Sequence, residues 1–183
     1  MQHRYTLEWL VNKYSGFFNN YGLSEGDLRR HYEEWKGQTG NHAVSAYLWY
    51  LFRVLLGENI KQVTSPADYH RNSYEIYAKM WEFSVLVEGQ KDNGLVQLKE
   101  EARVHAEIVN SPYAVNIKIA SGHCCPYCDE LNEQLFTQDE VFTNHYLGSH
   151  RCTSERGCNC RYLIVPVTDA DGRLVLIDKN DNG

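Results

Sequence analysis

The chain has 183 residues, 43% of them hydrophobic and 23% charged, and a formal net charge of −6. That length holds one hydrophobic core with at most a small appended module, and the composition excludes wholesale disorder. The acidic balance disfavours a nucleic-acid partner, because nonspecific affinity for phosphates comes from Lys and Arg displacing counterions.

From Tyr5 to Tyr21, Leu7, Leu10, Val11, Tyr14, Phe17, Phe18 and Tyr21 recur three or four positions apart and predict a first helix. Ser24 stands three residues before Asp27 in a capping arrangement, and Leu28, Tyr32 and Trp35 follow at helical spacing until Gly37 and Gly40. Asn41 caps a third helix through about Leu56, apolar over most of its circumference and stopped by Gly57. The apolar run inside it, Ala43 to Leu56, is broken by Ser45 and Arg53 and falls short of the roughly 20 residues that span a bilayer. No membrane partner is expected. Ser65-Pro66 opens a fourth helix that runs to Gly89, and a polar turn from Gln90 to Gly94 leads to a fifth, about Leu95 to Asn110. Leu95, Leu98, Ala102 and Val109 form its apolar side, with Lys99-Glu100-Glu101 on a solvated face. The four tryptophans, Trp9, Trp35, Trp49 and Trp81, are expected to fill the core of the helical part.

After Pro112 the character changes. Ala114, Val115, Ile117 and Ile119 read as a strand leading into His123-Cys124-Cys125-Pro126-Tyr127-Cys128. A short helix fits Asp129 to Leu135, Asp139 to Leu147 is ambiguous, and His150 to Cys160 reads as an irregular loop carrying ligands. Strands over Arg161 to Val167 and Arg173 to Asp178 are joined by the turn Asp169-Ala170-Asp171-Gly172. The expectation is an α+β protein, with an N-terminal helical bundle over residues 1–111 and a small β module over 112–183, packed as one compact unit.

All six cysteines lie between positions 124 and 160, so they organise something local instead of stapling the whole fold. The start of the chain shows no basic segment followed by an apolar stretch and a cleavage site, which predicts a cytoplasmic protein with reduced thiols. Cys125 and Cys128 on a tight turn make half of a tetrahedral zinc site. Cys158 and Cys160 are the preferred second pair, with Cys152 and then His150 as further candidates, and Cys124 reads as a bystander. With four protein ligands available, zinc closes and loses the open position that activates water. That favours a structural or interaction role with a protein partner over an enzyme, and no catalytic residue is assigned.

The stretch from Ile117 to Val167 resembles the C-terminal motif of the head-morphogenesis (minor head) proteins of tailed phages, which include the phage Mu F-like proteins. The matching residues are Cys125-Pro126-Tyr127-Cys128, Leu131 to Phe136, Asp139-Glu140, Cys158-Asn159-Cys160-Arg161 and Tyr162 to Val167. Glu133 stands where that family carries a glycine, and Glu155 where it carries a histidine. The resemblance implies a zinc-bearing, phage- or prophage-derived head-assembly protein, located in the cytoplasm or the virion.

Two other resemblances assign the same cysteines differently. Val115 to Ala120 followed by Cys125-Pro-Tyr-Cys128 is similar to the active-site stretch of glutaredoxins, which implies thiol–disulfide exchange with Cys125 attacking and Cys128 resolving. His105-Ala106-Glu107 together with Cys125 and Cys128 looks like the ligand and acid–base set of zinc-dependent deaminases.

Overall fold

The computed structural model describes residues 5–123, 125–155 and 157–177. It is an α+β protein, helical in its N-terminal part, with a small antiparallel sheet and the cysteine cluster in its C-terminal region. Two compact units divide it, Met1–Lys61 and Gln62–Gly183.

The first unit is built from α1 (Leu7–Asn19), α2 (Glu25–Thr39) and α3 (Val44–Gln62). The Thr6 hydroxyl accepts the Trp9 amide and starts α1, and a reciprocal Ser24–Asp27 capping box starts α2, satisfying amide donors that have no partner inside the helix. Tyr14, Phe18 and Phe52 pack as a cluster of rings, and the buried Tyr47 hydroxyl donates to the Leu28 carbonyl at 2.9 Å. Two expectations change here. Gly57 does not stop α3, which continues to Gln62. A glycine inside a helix costs only about 1 kcal/mol, and buried Leu55 and Asn59 on either side anchor the last turns. Of the four tryptophans Trp35 is buried, while Trp9, Trp49 and Trp81 are half-buried, Trp81 packed against the core that holds the cysteines.

The second unit begins with α4 (Pro66–Glu82), started by Ser65, whose hydroxyl accepts the Asp68 amide; one π-helical turn, Phe83–Val87, extends it. Asp92 caps α5 (Asn93–Ile108), which packs along α4. The sheet has the order β2-β1-β3, with β1 (Val115–Ala120) central between β2 (Leu135–Phe136) and β3 (Arg161–Pro166). Its register pairs Ile117 with Ile164 and with Phe136, and Ile119 with Tyr162. Two short helices, α6 (Pro126–Glu130) and α7 (Gln138–Asn144), lie between the strands in sequence. The predicted turn at 169–172 forms, with Asp169 and Arg173 hydrogen-bonded and Gly172 at φ +79°, but its second strand is reduced to bridges at Leu174 and Leu176. Asp178 at the end of that predicted strand, like Cys124, lies outside the described residues.

Alternation along β1 turns Val115, Ile117 and Ile119 inward, where they share one core with Val96, Val104 and Ile108 of α5 and with the cysteines. This shared core is why α4 and α5 belong to the same unit as the sheet, so the division between units falls some 50 residues before the change of character at Pro112. The face of α5 also differs from expectation. Leu98 and Val109 are 40% and 42% exposed, and the stripe toward the sheet is Val96, Glu100, Val104 and Ile108, spaced four apart. A carboxylate in its second position disguises that stripe in the sequence. Glu100 is buried, not solvated: Arg103 and Lys99 neutralise it. Among the described residues no helix is long and apolar enough to cross a membrane.

Candidate metal centre

β1 delivers the chain to Ser121–His123, after which Cys125 caps α6 and Cys128 follows one turn later, both buried. Gly122 makes this approach possible. A Cβ on it would stand 2.6 Å from the Asn159 carbonyl oxygen, so only glycine lets the loop lie against the Cys158–Cys160 segment. From there the Gly122 amide donates to Cys160 Sγ at 3.3 Å.

The loop from Ser149 to Cys160 supplies Cys152, Cys158 and Cys160, all buried. It is held to the start of α5. Lys91 Nζ donates to the Cys152 carbonyl at 3.1 Å, and the Cys158 amide donates to Asn93 Oδ1 at 3.4 Å. Gln90 to Gly94, read from sequence as a plain turn, therefore braces the cysteine loop, and nothing in its polar composition announces that partner.

Five thiols meet in one place. Cys125, Cys128 and Cys152 form one group with sulfurs within 4.8 Å of one another, and Cys128, Cys158 and Cys160 form another, so Cys128 belongs to both. The Cys125–Cys152 and Cys128–Cys158 sulfurs are 3.8 and 4.0 Å apart. Four sulfurs placed about 2.3 Å from a central zinc at tetrahedral angles lie about 3.8 Å from each other. The donor set and its spacing fit a tetrahedral thiolate site, and the cluster can hold a metal ion. All five are free thiols, so no disulfide links them.

The thiols differ in how readily they ionise. Burial pushes the Cys125 thiol up, but the amides of Cys128 and Thr153 and the neighbouring thiols outweigh it, and the group sits below the ordinary thiol range. Its neighbours move the other way. Cys128 is driven up by Cys158 and Cys160 at its side and by burial, and Cys152 is pushed up to about 12, chiefly by burial and then by the charge of Cys158. The protein's own dipoles stabilise one thiolate, and further ionisation calls for a metal charge.

The structure thus brings together five of the six candidate ligands. His150 is exposed and belongs to neither group; it stands in the wall of an adjacent cleft. His105 likewise joins no ligand group among the described residues. Its ring is stacked between His70 and Phe142, with centroids at 4.6 and 3.9 Å, and Glu107 pairs with Arg103 at 2.6 Å. The arrangement a deaminase requires is not assembled among the described residues. Compared with known proteins, the chain matches no protein-family model, no curated protein and no solved structure.

Proposed function

We propose that this chain is a zinc-stabilised structural or interaction protein of phage or prophage origin, acting in head assembly, in which the metal closes the C-terminal module. The observation that carries the zinc reading is the cluster of five buried thiols with sulfur spacings of 3.8 and 4.0 Å. Four or more thiolates saturate zinc and leave no position for an activated water, which favours support of the fold over catalysis. The phage-head part of the reading rests on the resemblance of Ile117 to Val167 alone; Glu133, which departs from that motif's glycine, sits at φ +63°, a left-handed conformation that suits glycine.

The decisive experiment measures metal content and its consequence. Purified protein should carry about one zinc per chain, and chelation should destabilise the second unit, whose sheet and cysteine loop share one core with α5. Cys128→Ser, which touches both groups of thiols, should lose more metal affinity than any other single cysteine substitution. Metal-free protein of unchanged stability would overturn the reading. The assembly role is tested by asking whether the chain is retained in purified heads of the element that encodes it.

A second reading, thiol–disulfide exchange by Cys125 and Cys128, has one observation in its favour: Cys125 heads α6 with a lowered thiol pKa. Against it, Cys125 and Cys128 are only 5% and 1% exposed, and three more thiols surround them. Fast alkylation of Cys125 in the metal-loaded protein at neutral pH would revive it.

A further inference from the structure

Beside the metal centre lies a cleft of about 340 Å³, walled by the segment from Asn144 to Arg151, by Tyr127 and by Gln97 of α5. In a chain with net charge −6, none of the residues lining it carries a carboxylate. They present one guanidinium, two imidazoles, two phenols, a hydroxyl and two amides. Glu101 of α5 fixes the His145 ring through Nδ1 at 2.7 Å.

Arg151 is the centre of this wall. Its guanidinium lies over the Tyr127 ring, 5.5 Å from the centroid, and pairs with no carboxylate among the described residues. A guanidinium in a cation–π contact still has its N–H fork to offer an oxyanion, the geometry that suits phosphate. The contact also joins the two segments that supply one of the thiol groups, since Tyr127 lies between Cys125 and Cys128 and Arg151 precedes Cys152. Gly148 sets the depth of the wall. At φ +66°, a Cβ there would stand 2.0 Å from the Asn93 carbonyl oxygen.

We propose that this cleft is a binding site for a phosphate monoester, gripped by Arg151 with His145 and His150. A volume of about 340 Å³ suits one small molecule. The net charge of −6 disfavours a long polyanion, and a guanidinium beside two imidazoles suits the double charge of a monoester better than the single charge of a diester. The metal fixes the wall, a link that rests on the metal reading above.

The test is titration of the metal-loaded full chain with inorganic phosphate, followed by backbone amide NMR at constant ionic strength. Saturable shifts should appear over residues 144–151, weaken at least tenfold in Arg151→Ala, weaken several-fold in His150→Ala, and stay unchanged in Arg173→Ala. Dimethyl phosphate should bind much more weakly. Three results overturn the proposal: shifts that chloride reproduces, wild-type affinity in both Arg151→Ala and His150→Ala, or equal binding of the diester. Should Arg151→Ala fail to fold, the exposed His150→Ala decides alone. Zinc content is measured on the same samples. Phosphate binding without zinc would sink the metal reading and leave this one standing, and zinc without phosphate binding would do the reverse.

Discussion

The carboxylate of Glu100 on α5 accepts the amide of Tyr162 on β3 at 3.4 Å, inside the core that holds the cysteines. Arg103 completes the joint, donating both to Glu100 and to the Tyr162 carbonyl. The Tyr162 hydroxyl in turn accepts the Leu147 amide at 3.2 Å, so one tyrosine ties helix, strand and the loop before the metal ligands together. Glu100→Ala leaves the Tyr162 amide without its acceptor, while Arg103 keeps Glu107. It should destabilise the second unit by about 2 kcal/mol for the unsatisfied buried amide, and Tyr162→Phe by about 1 kcal/mol for one lost hydrogen bond. Denaturant unfolding of each variant measures both, and a Glu100→Ala cost no larger than that of an exposed helix substitution would show that the joint carries nothing.

Gly122 supports the thiol cluster without contributing a ligand atom to it. An alanine there collides with the Asn159 backbone and pulls the amide away from Cys160 Sγ. Losing such an outer partner lowers metal affinity about 10- to 100-fold in other sites, and chelator competition on Gly122→Ala should find a loss in that range. Gly16 is the control. It lies inside α1 with nothing within 4 Å of its added Cβ, so Gly16→Ala should leave metal affinity unchanged and stabilise the chain by about 0.5–1 kcal/mol.

The helices of the first unit were readable because their signals are local: an apolar face in α1, and a capping box and terminal glycine in α2. The position of the cysteines was readable for the same reason. What escaped depends on contacts between distant segments. Nothing near Glu100 announces a buried carboxylate, since its partner Tyr162 lies 62 residues away. Asn93 and Lys91 look like turn residues until the loop of Cys152 and Cys158 folds onto them. Cys152 ranked behind Cys158 and Cys160 because those two directly precede the β3 strand; the loop buries all three sulfurs beside Cys125 and Cys128, a closeness that spacing along the chain does not show.

Glu133 holds a left-handed conformation at φ +63° with an exposed ion pair to Lys118 at 2.6 Å. The strain of a non-glycine residue there is about 1 kcal/mol, and an exposed ion pair is worth a few tenths to about 1 kcal/mol. Glu133→Gly relieves the first and loses the second, so its net effect should be small. Glu133→Val keeps a side chain, adds β-branching and loses the pair; it should destabilise by more than 1 kcal/mol. Thermal unfolding of the two variants separates them, and equal melting temperatures would show that the backbone at 133 relaxes.

His70, His105 and Phe142 form a continuous stack that joins α4, α5 and α7. Burial holds both imidazoles below their ordinary range, and for His105 the neighbouring His70 adds to it. The unfolded chain, with histidines near 6.5, then binds more protons than the folded one as the pH falls. The stabilisation from this stack is complete above about 6.5 and declines as pH drops below that value toward the lower folded values. Acid also protonates the thiolates that would hold a metal, so the stack must be measured as a difference. His105→Phe keeps a flat ring between its neighbours and removes one titration. The stability gap between wild type and His105→Phe should widen in favour of the variant between pH 7.5 and 5, and a gap that stays constant over that interval would rule out titration of His105 as a source of acid sensitivity.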